Sequence, residues 1–138
     1  MHIIIYMSRF TRILDDDELA CLFDTAAEKN RKAGITSVLL HDSHRLIQAI
    51  EGKRETIATL MAKLESDPRH HQISLVHRSA IQARQFDPWH MRAARLDPGQ
   101  SLAKLSVQAA DLLRSTTQVP VKAAFFGFCR YSAKAIPV

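Results

Sequence analysis

Strand and helix patterns alternating in the order β-α-β-β-α-β-β predict an α+β domain, one sheet with helices laid on a single face. Three observations carry this reading. Runs rich in β-branched and apolar residues recur along the first 95 residues, the clearest being His2-Ile3-Ile4-Ile5-Tyr6. Two stretches between them carry apolar residues at i, i+3, i+4 spacing, the pattern of a helix with one buried stripe. A polar triplet, Asp42-Ser43-His44, separates two of the runs so closely that they must form a hairpin.

In chain order, His2 to Arg9 is the first strand. Asp15, Asp16 and Asp17 follow, carboxylates placed where they favour a helix N-terminus. Leu19, Leu22, Phe23, Ala26 and Ala27 then mark an amphipathic helix to about Asn30, with Gly34 as its natural stop. Ile35 to His41 and Arg45 to Gly52 are the hairpin strands. A second helix runs from about Arg54 to Glu65, with Ile57, Leu60, Met61 and Leu64 on one face. Pro68 closes it into a polar loop through His71. Ile73 to Gln82 is a fourth strand, and a turn through Pro88 leads to a short fifth at about His90 to Ala94. The split βαββαβ core makes this a ferredoxin-like βαββαββ sheet with two helices on one face, plus a C-terminal helical extension. Residues 1–95 are expected to form one domain and 96–138 a helical cap or tail. A third helix is expected from about Gln100. The tail from Val119, with Phe125, Phe126 and Phe128, should pack on the bare sheet face or against another subunit.

With 138 residues, 46% of them hydrophobic, the chain is long enough for one real core. No apolar run reaches the roughly 18–20 residues needed to span a bilayer, and no signal peptide is visible, so no membrane partner and a cytoplasmic location are expected. Cys21 and Cys129 have no metal-ligand spacing and read as reduced thiols, with no metal site. The net charge of +5 keeps nucleic acid or a phosphate-bearing ligand in play. No nucleophile–base–acid set and no glycine-rich phosphate loop appears, which argues against an enzyme.

One residue does not fit a plain core. Gln48 sits in the middle of Leu46-Ile47-Gln48-Ala49-Ile50. A buried amide left unpaired costs about 1–3 kcal/mol, so it needs partners. Those partners are backbone and other side chains, or a polar ligand.

Tyr6-Met7-Ser8, Asn30 ahead of Gly34-Ile35-Thr36, Gln48 with Glu51-Gly52, Asp67-x-Arg69-His70 and Arg84-x-Phe86-x-x-Trp89-x-Met91 occur in that order. Together, over about residues 2 to 95, they resemble the BLUF family of flavin-using blue-light sensors. The resemblance implies FAD, with FMN or riboflavin as substitutes, held noncovalently between the two helices. Asn30, Gln48, Ile35, Arg69, His70 and Asp67 would contact it, Asn30 at the polar ring edge and Arg69 and His70 at the phosphate and ribose end. Tyr6 would pass an electron and a proton to the excited flavin. The Gln48 amide would then rearrange by rotation or tautomerisation, giving a small red shift. Ser8, Trp89 and Met91 complete the implied photoactive set, with Trp89 or Met91 coupling the amide to the last strand. The implied output is altered contacts in a homo-oligomer or with a downstream protein partner. Three departures stand out: Ser37 where the family usually has glycine, expected to crowd the strand; Leu46 where an aromatic is common; and Lys29 before Asn30.

A flavin-less ferredoxin-like interaction module or an RNA-binding module is the alternative. RNA recognition would need exposed aromatics on the central strands for stacking. Tyr6 is the single aromatic the first strand offers before Phe10, and the third strand offers none.

Overall fold

The computed structural model describes residues 1–97 and 99–134, with the backbone alone for His70 and Lys134. Its elements are β1 His2–Phe10, α1 Asp16–Ala33, β2 Thr36–His41, β3 Arg45–Gly52, α2 Arg54–Ser66, β4 His70–Ala80, β5 Arg92–Arg95, α3 Leu102–Leu112 and α4 Val119–Lys134. The strands form one sheet in the order β4-β1-β3-β2-β5. β1 runs antiparallel to both β3 and β4, and β2 is antiparallel to β3 but parallel to β5. This is the expected ferredoxin-like arrangement with one added edge strand.

The pleat sorts side chains between two cores. Ile4, Tyr6, Phe10, Leu39, Leu46 and Ile50 point to the face covered by α1 and α2, where Leu19 and Ile57 meet them. Ile3, Ile5, Val38, Leu40, Ile47 and Ala49 point to the other face. That face is covered by α3 and α4, through Leu105, Ala109, Leu112, Phe125 and Phe128. The Phe-rich tail is therefore a helix, and it takes the first of the two packing sites expected of it. Residues 98 and 135–138 lie outside the described part.

α1 is closed tightly at both ends. Asp15 accepts from the Glu18 amide at 2.8 Å while the Glu18 carboxylate accepts from the Asp15 amide at 3.3 Å, a reciprocal capping box. At the other end Gly34 adopts φ 70°, a left-handed conformation natural to glycine. The Gly34 amide then bonds to the Arg31 carbonyl and the Ile35 amide to the Asn30 carbonyl, a Schellman pair. The helix thus runs three residues beyond the expected Asn30, and the stop fixes where Asn30 sits.

Two boundaries differ from expectation for physical reasons. β4 begins at His70 and not at Ile73, because β1 offers ladder partners as far as Phe10 opposite His70. β5 begins at Arg92 and not at His90, because the His90 carbonyl is taken by the side chains of Asn30 and Ser37. No helix of the described residues is long and apolar enough to cross a membrane.

Candidate functional site

Tyr6 and Gln48 are directly opposed across the β1–β3 ladder, and Leu39 is opposite Gln48 on β2. The three form a row on the α1/α2 face, with Ser37 the diagonal neighbour of Gln48. The β1–β4 pairing shifts register on both sides of Tyr6, whereas β1–β3 stays regular. Tyr6 is 2% exposed and Gln48 3%.

The Tyr6 hydroxyl donates to Gln48 Oε1 at 2.5 Å, and Gln48 Nε2 donates to Ser37 Oγ at 3.2 Å. The polar residue in the apolar run is therefore paired on both amide atoms. Burial pushes the Tyr6 phenol far above its ordinary value, so it stays neutral across physiological pH. Asn30, also buried, donates from Nδ2 to the His90 carbonyl at 2.8 Å and lies 3.5 Å from Ser37 Oγ.

Above this row lies a cleft between α1 and α2. Tyr6, Asn30 and Gln48 contribute its polar lining, while Leu22, Phe23 and Leu64 supply apolar walls. Met91, Asp67 and Arg69 also line it. A shallower groove continues past Lys29, Asn30, Leu60 and Lys63 to Ile35. Lys29, Lys63 and Arg69 bring three cations to this cleft. Asp67 receives the Arg69 guanidinium at 2.7 Å, and that bond holds the guanidinium above its ordinary pKa.

Six of the ten residues expected at a site thus come together: Tyr6, Asn30, Gln48, Asp67, Arg69 and Met91. Ile35 borders the adjoining groove. Ser8 is buried one pleat along from Tyr6 on the same face. Trp89 is elsewhere: it packs against the core beneath α3 and α4, with the Arg92 guanidinium 4.3 Å from its ring centroid. The side chain of His70 lies outside the described residues.

Sequence reasoning assigned no role to Lys63 or Ser37, which flank the site. Lys63 lies beside Leu60 and Leu64 on α2, and the wheel of that helix would have put it at the cleft. Ser37 was expected to crowd its strand. It is instead fully buried, donating from Oγ to the His90 carbonyl at 2.8 Å while accepting from Gln48.

A second polar cluster fixes the loop between β4 and β5. Buried Glu51 accepts from the amides of Gln85 and Phe86 at 2.6 and 3.0 Å and from Thr36 Oγ1 at 2.9 Å. Arg84 donates to Thr36 Oγ1 at 2.9 Å and to the Gly34 carbonyl at 2.5 Å. The Glu51-Gly52 and Arg84-x-Phe86 pieces of the sequence pattern therefore meet in a buckle at the start of the loop that leads to β5. No cluster of potential metal ligands occurs among the described residues.

Residues 1–92 match a family described as "BLUF: Sensors of blue-light using FAD". A photoactivated adenylate cyclase subunit beta-like protein of Euglena gracilis is 28% identical over 115 residues, 83% of this chain but 13% of that protein. A photoactivated adenylate cyclase subunit alpha of the same organism is 32% identical over 79 residues, 57% of this chain and 8% of the relative. The chain thus spans a small part of these proteins. Among solved structures, Klebsiella pneumoniae BlrP1 with FMN and cyclic diGMP is similar over 91% of this chain and 34% of its own, at 28% identity and TM-score 0.73. BlrB, a BLUF protein in its dark state, is similar over 98% of this chain and 96% of its own, at 27% identity and TM-score 0.70.

Proposed function

The chain belongs to the BLUF family, and we propose that it senses blue light through FAD held in the cleft between α1 and α2, with Tyr6 and Gln48 as its switch. Flavin-binding photoreception is the property of the family, and such a domain is a signalling photoreceptor, not itself an enzyme. The observation that carries the finer reading is the buried Tyr6–Gln48 hydrogen bond on the floor of the cleft.

The cleft residues suit a flavin. Apolar walls with a few convergent amides are the usual composition of a cofactor site. Gln48 Nε2 carries a second hydrogen beyond the one given to Ser37, and Asn30 Oδ1 is an acceptor, so both amides have capacity for a heteroaromatic edge. The cleft measures about 140 Å³, comparable with a cavity that holds one benzene. It would take one edge of a fused ring system. Lys29, Lys63 and Arg69 suit the phosphates of FAD.

When bound, the flavin supplies blue absorption and an excited-state electron acceptor. Tyr6 would be the donor: its buried, neutral phenol would release its proton along the bond to Gln48 Oε1 as the electron left. Both would return to Tyr6, leaving the net change in the Gln48 amide. Met91, which lines the same cleft, reports that change to β5. Residues 1–95 are the sensor and 96–138 its cap, and the output is altered contact with a second copy or a downstream protein. RNA stacking is disfavoured by a specific observation: both sheet faces are covered by helices.

A dark-versus-light difference spectrum of the purified, FAD-loaded chain tests the proposal. A small red shift on illumination is expected, and it should vanish in Gln48→Leu with the flavin still bound. A normal photocycle in that variant refutes the switch. A protein that stays colourless with added FAD refutes the whole reading.

A further inference from the structure

Among the described residues, Ser37 is the one hydroxyl bonded both to the Gln48 amide and to the chain entering β5. Its Oγ is completely buried and has three polar neighbours: Gln48 Nε2, Asn30 Nδ2 and the His90 carbonyl. Both amide nitrogens are donors, and a carbonyl can only accept. A serine hydroxyl owns one hydrogen, so here that hydrogen must go to His90. The polarity of the row is therefore fixed: Tyr6 gives to Gln48, Gln48 to Ser37, Ser37 to His90. The Ser37 amide also donates to the Trp89 carbonyl at 2.9 Å, so one residue holds two successive carbonyls of this segment.

We infer that Ser37 is a positioning residue that relays rotation of the Gln48 amide to the His90 carbonyl, and through it to β5. This rests on the reading of Gln48 as the moving amide. A rotated amide presents its oxygen to Ser37 where it had presented its nitrogen. Two acceptors, Gln48 Oε1 and the His90 carbonyl, then compete for one hydroxyl hydrogen. When that hydrogen turns to Gln48, His90 keeps only the bond from Asn30. The neighbouring groups do not buffer the change: His90 Nδ1 is engaged with the Ile35 carbonyl at 2.8 Å. A glycine at position 37 would have no such link, so the relay belongs to this chain's own sequence.

The sequence provides a probe. His90-Met91 is the only His-Met junction in it. Full-length, FAD-loaded protein carrying ¹³C-carbonyl histidine and ¹⁵N-methionine therefore gives a single amide–carbonyl correlation for that peptide in solution NMR. Light should displace this signal in the wild type. Ser37→Ala and Ser37→Gly should keep the flavin red shift, move the dark signal because the carbonyl has lost a donor, and reduce the light-induced displacement to half or less. Ser37→Thr, which retains the hydroxyl, should restore it. Wild-type displacement in Ser37→Ala and Ser37→Gly overturns the relay, as does an immobile signal in a wild type that shows the red shift. Loss of the red shift in those two variants also overturns it, since Ser37 would then act within the photochemistry and not after it. Absence of any red shift in the wild type fails the sensor proposal itself and needs no variant to detect.

Discussion

Individual residues at the site owe their states to burial before anything else. His41 is the clearest case outside the switch. It is packed between the rings of Phe10 and Phe23, and its Nδ1 accepts from the Ser43 amide at 3.3 Å. Burial, with Arg95 nearby, pushes its pKa down to about 4, against the opposing pull of Asp42 and Asp16. The folded chain therefore stays unprotonated between pH 4 and the ordinary histidine value while the unfolded chain takes up a proton. Stability is complete above about pH 6.5 and falls as pH drops towards 4, by at most about 3 kcal/mol from this one group. Urea midpoints at pH 7 and pH 4.5 should differ less in His41→Gln than in the parent; an equal difference would mean that His41 charges freely in the fold. The cations of the cleft give a second expectation. Lys29, Lys63 and Arg69 should make FAD bind more tightly than riboflavin, and added salt should narrow the gap because these groups meet solvent. Equal affinity for the two at low salt would remove them from the phosphate site.

Elements owe their positions to contacts at their ends as much as to their own propensities. α4 opens on Val119-Pro120, with proline in the first turn where its missing amide costs nothing. It is then locked down: Ser132 donates to the buried Asp42 carboxylate at 2.9 Å, and the Arg45 guanidinium lies 5.2 Å from the Tyr131 ring centroid. Both contacts are made to the β2–β3 hairpin, the hairpin that carries Gln48. Phe125, the fully buried side chain by which α4 enters the core, should cost about 3–5 kcal/mol when replaced by alanine. Chemical denaturation followed by circular dichroism measures this, and a loss below 1 kcal/mol would show that α4 is dispensable to the core. The first seven elements were legible because each rests on local pattern: the run of isoleucines in β1, the stripe of α1, the glycine at its end. What sequence could not convey was side. Trp89 and Met91 stand two apart, yet Met91 meets the cleft and Trp89 the opposite core, because the Ser37 amide and hydroxyl take the Trp89 and His90 carbonyls between them. Likewise the role of Ser37 depends on a diagonal across two strands and a loop, which no spacing rule encodes.

At the scale of the whole molecule, the sheet divides two tasks between its faces. The α1/α2 face carries the cleft, and the α3/α4 face carries the larger continuous core. β3 contributes to both, Gln48 on one side and Ile47 and Ala49 on the other. Removing residues 119–138 would strip Val121, Phe125, Phe128 and Cys129 from that core and leave Ile3, Ile5 and Ile47 open to water. An apolar patch of that kind drives association in a soluble protein. The cleft, on the far side of the sheet, loses none of its lining residues. Truncated protein should therefore retain the flavin spectrum in its folded fraction while unfolding at lower denaturant and eluting as larger species than the full chain. Light scattering alongside the spectrum separates these outcomes. Unchanged size and stability would mean that the sheet can stand bare on that face, and loss of the flavin spectrum in protein that remains folded would mean that the two faces are not independent.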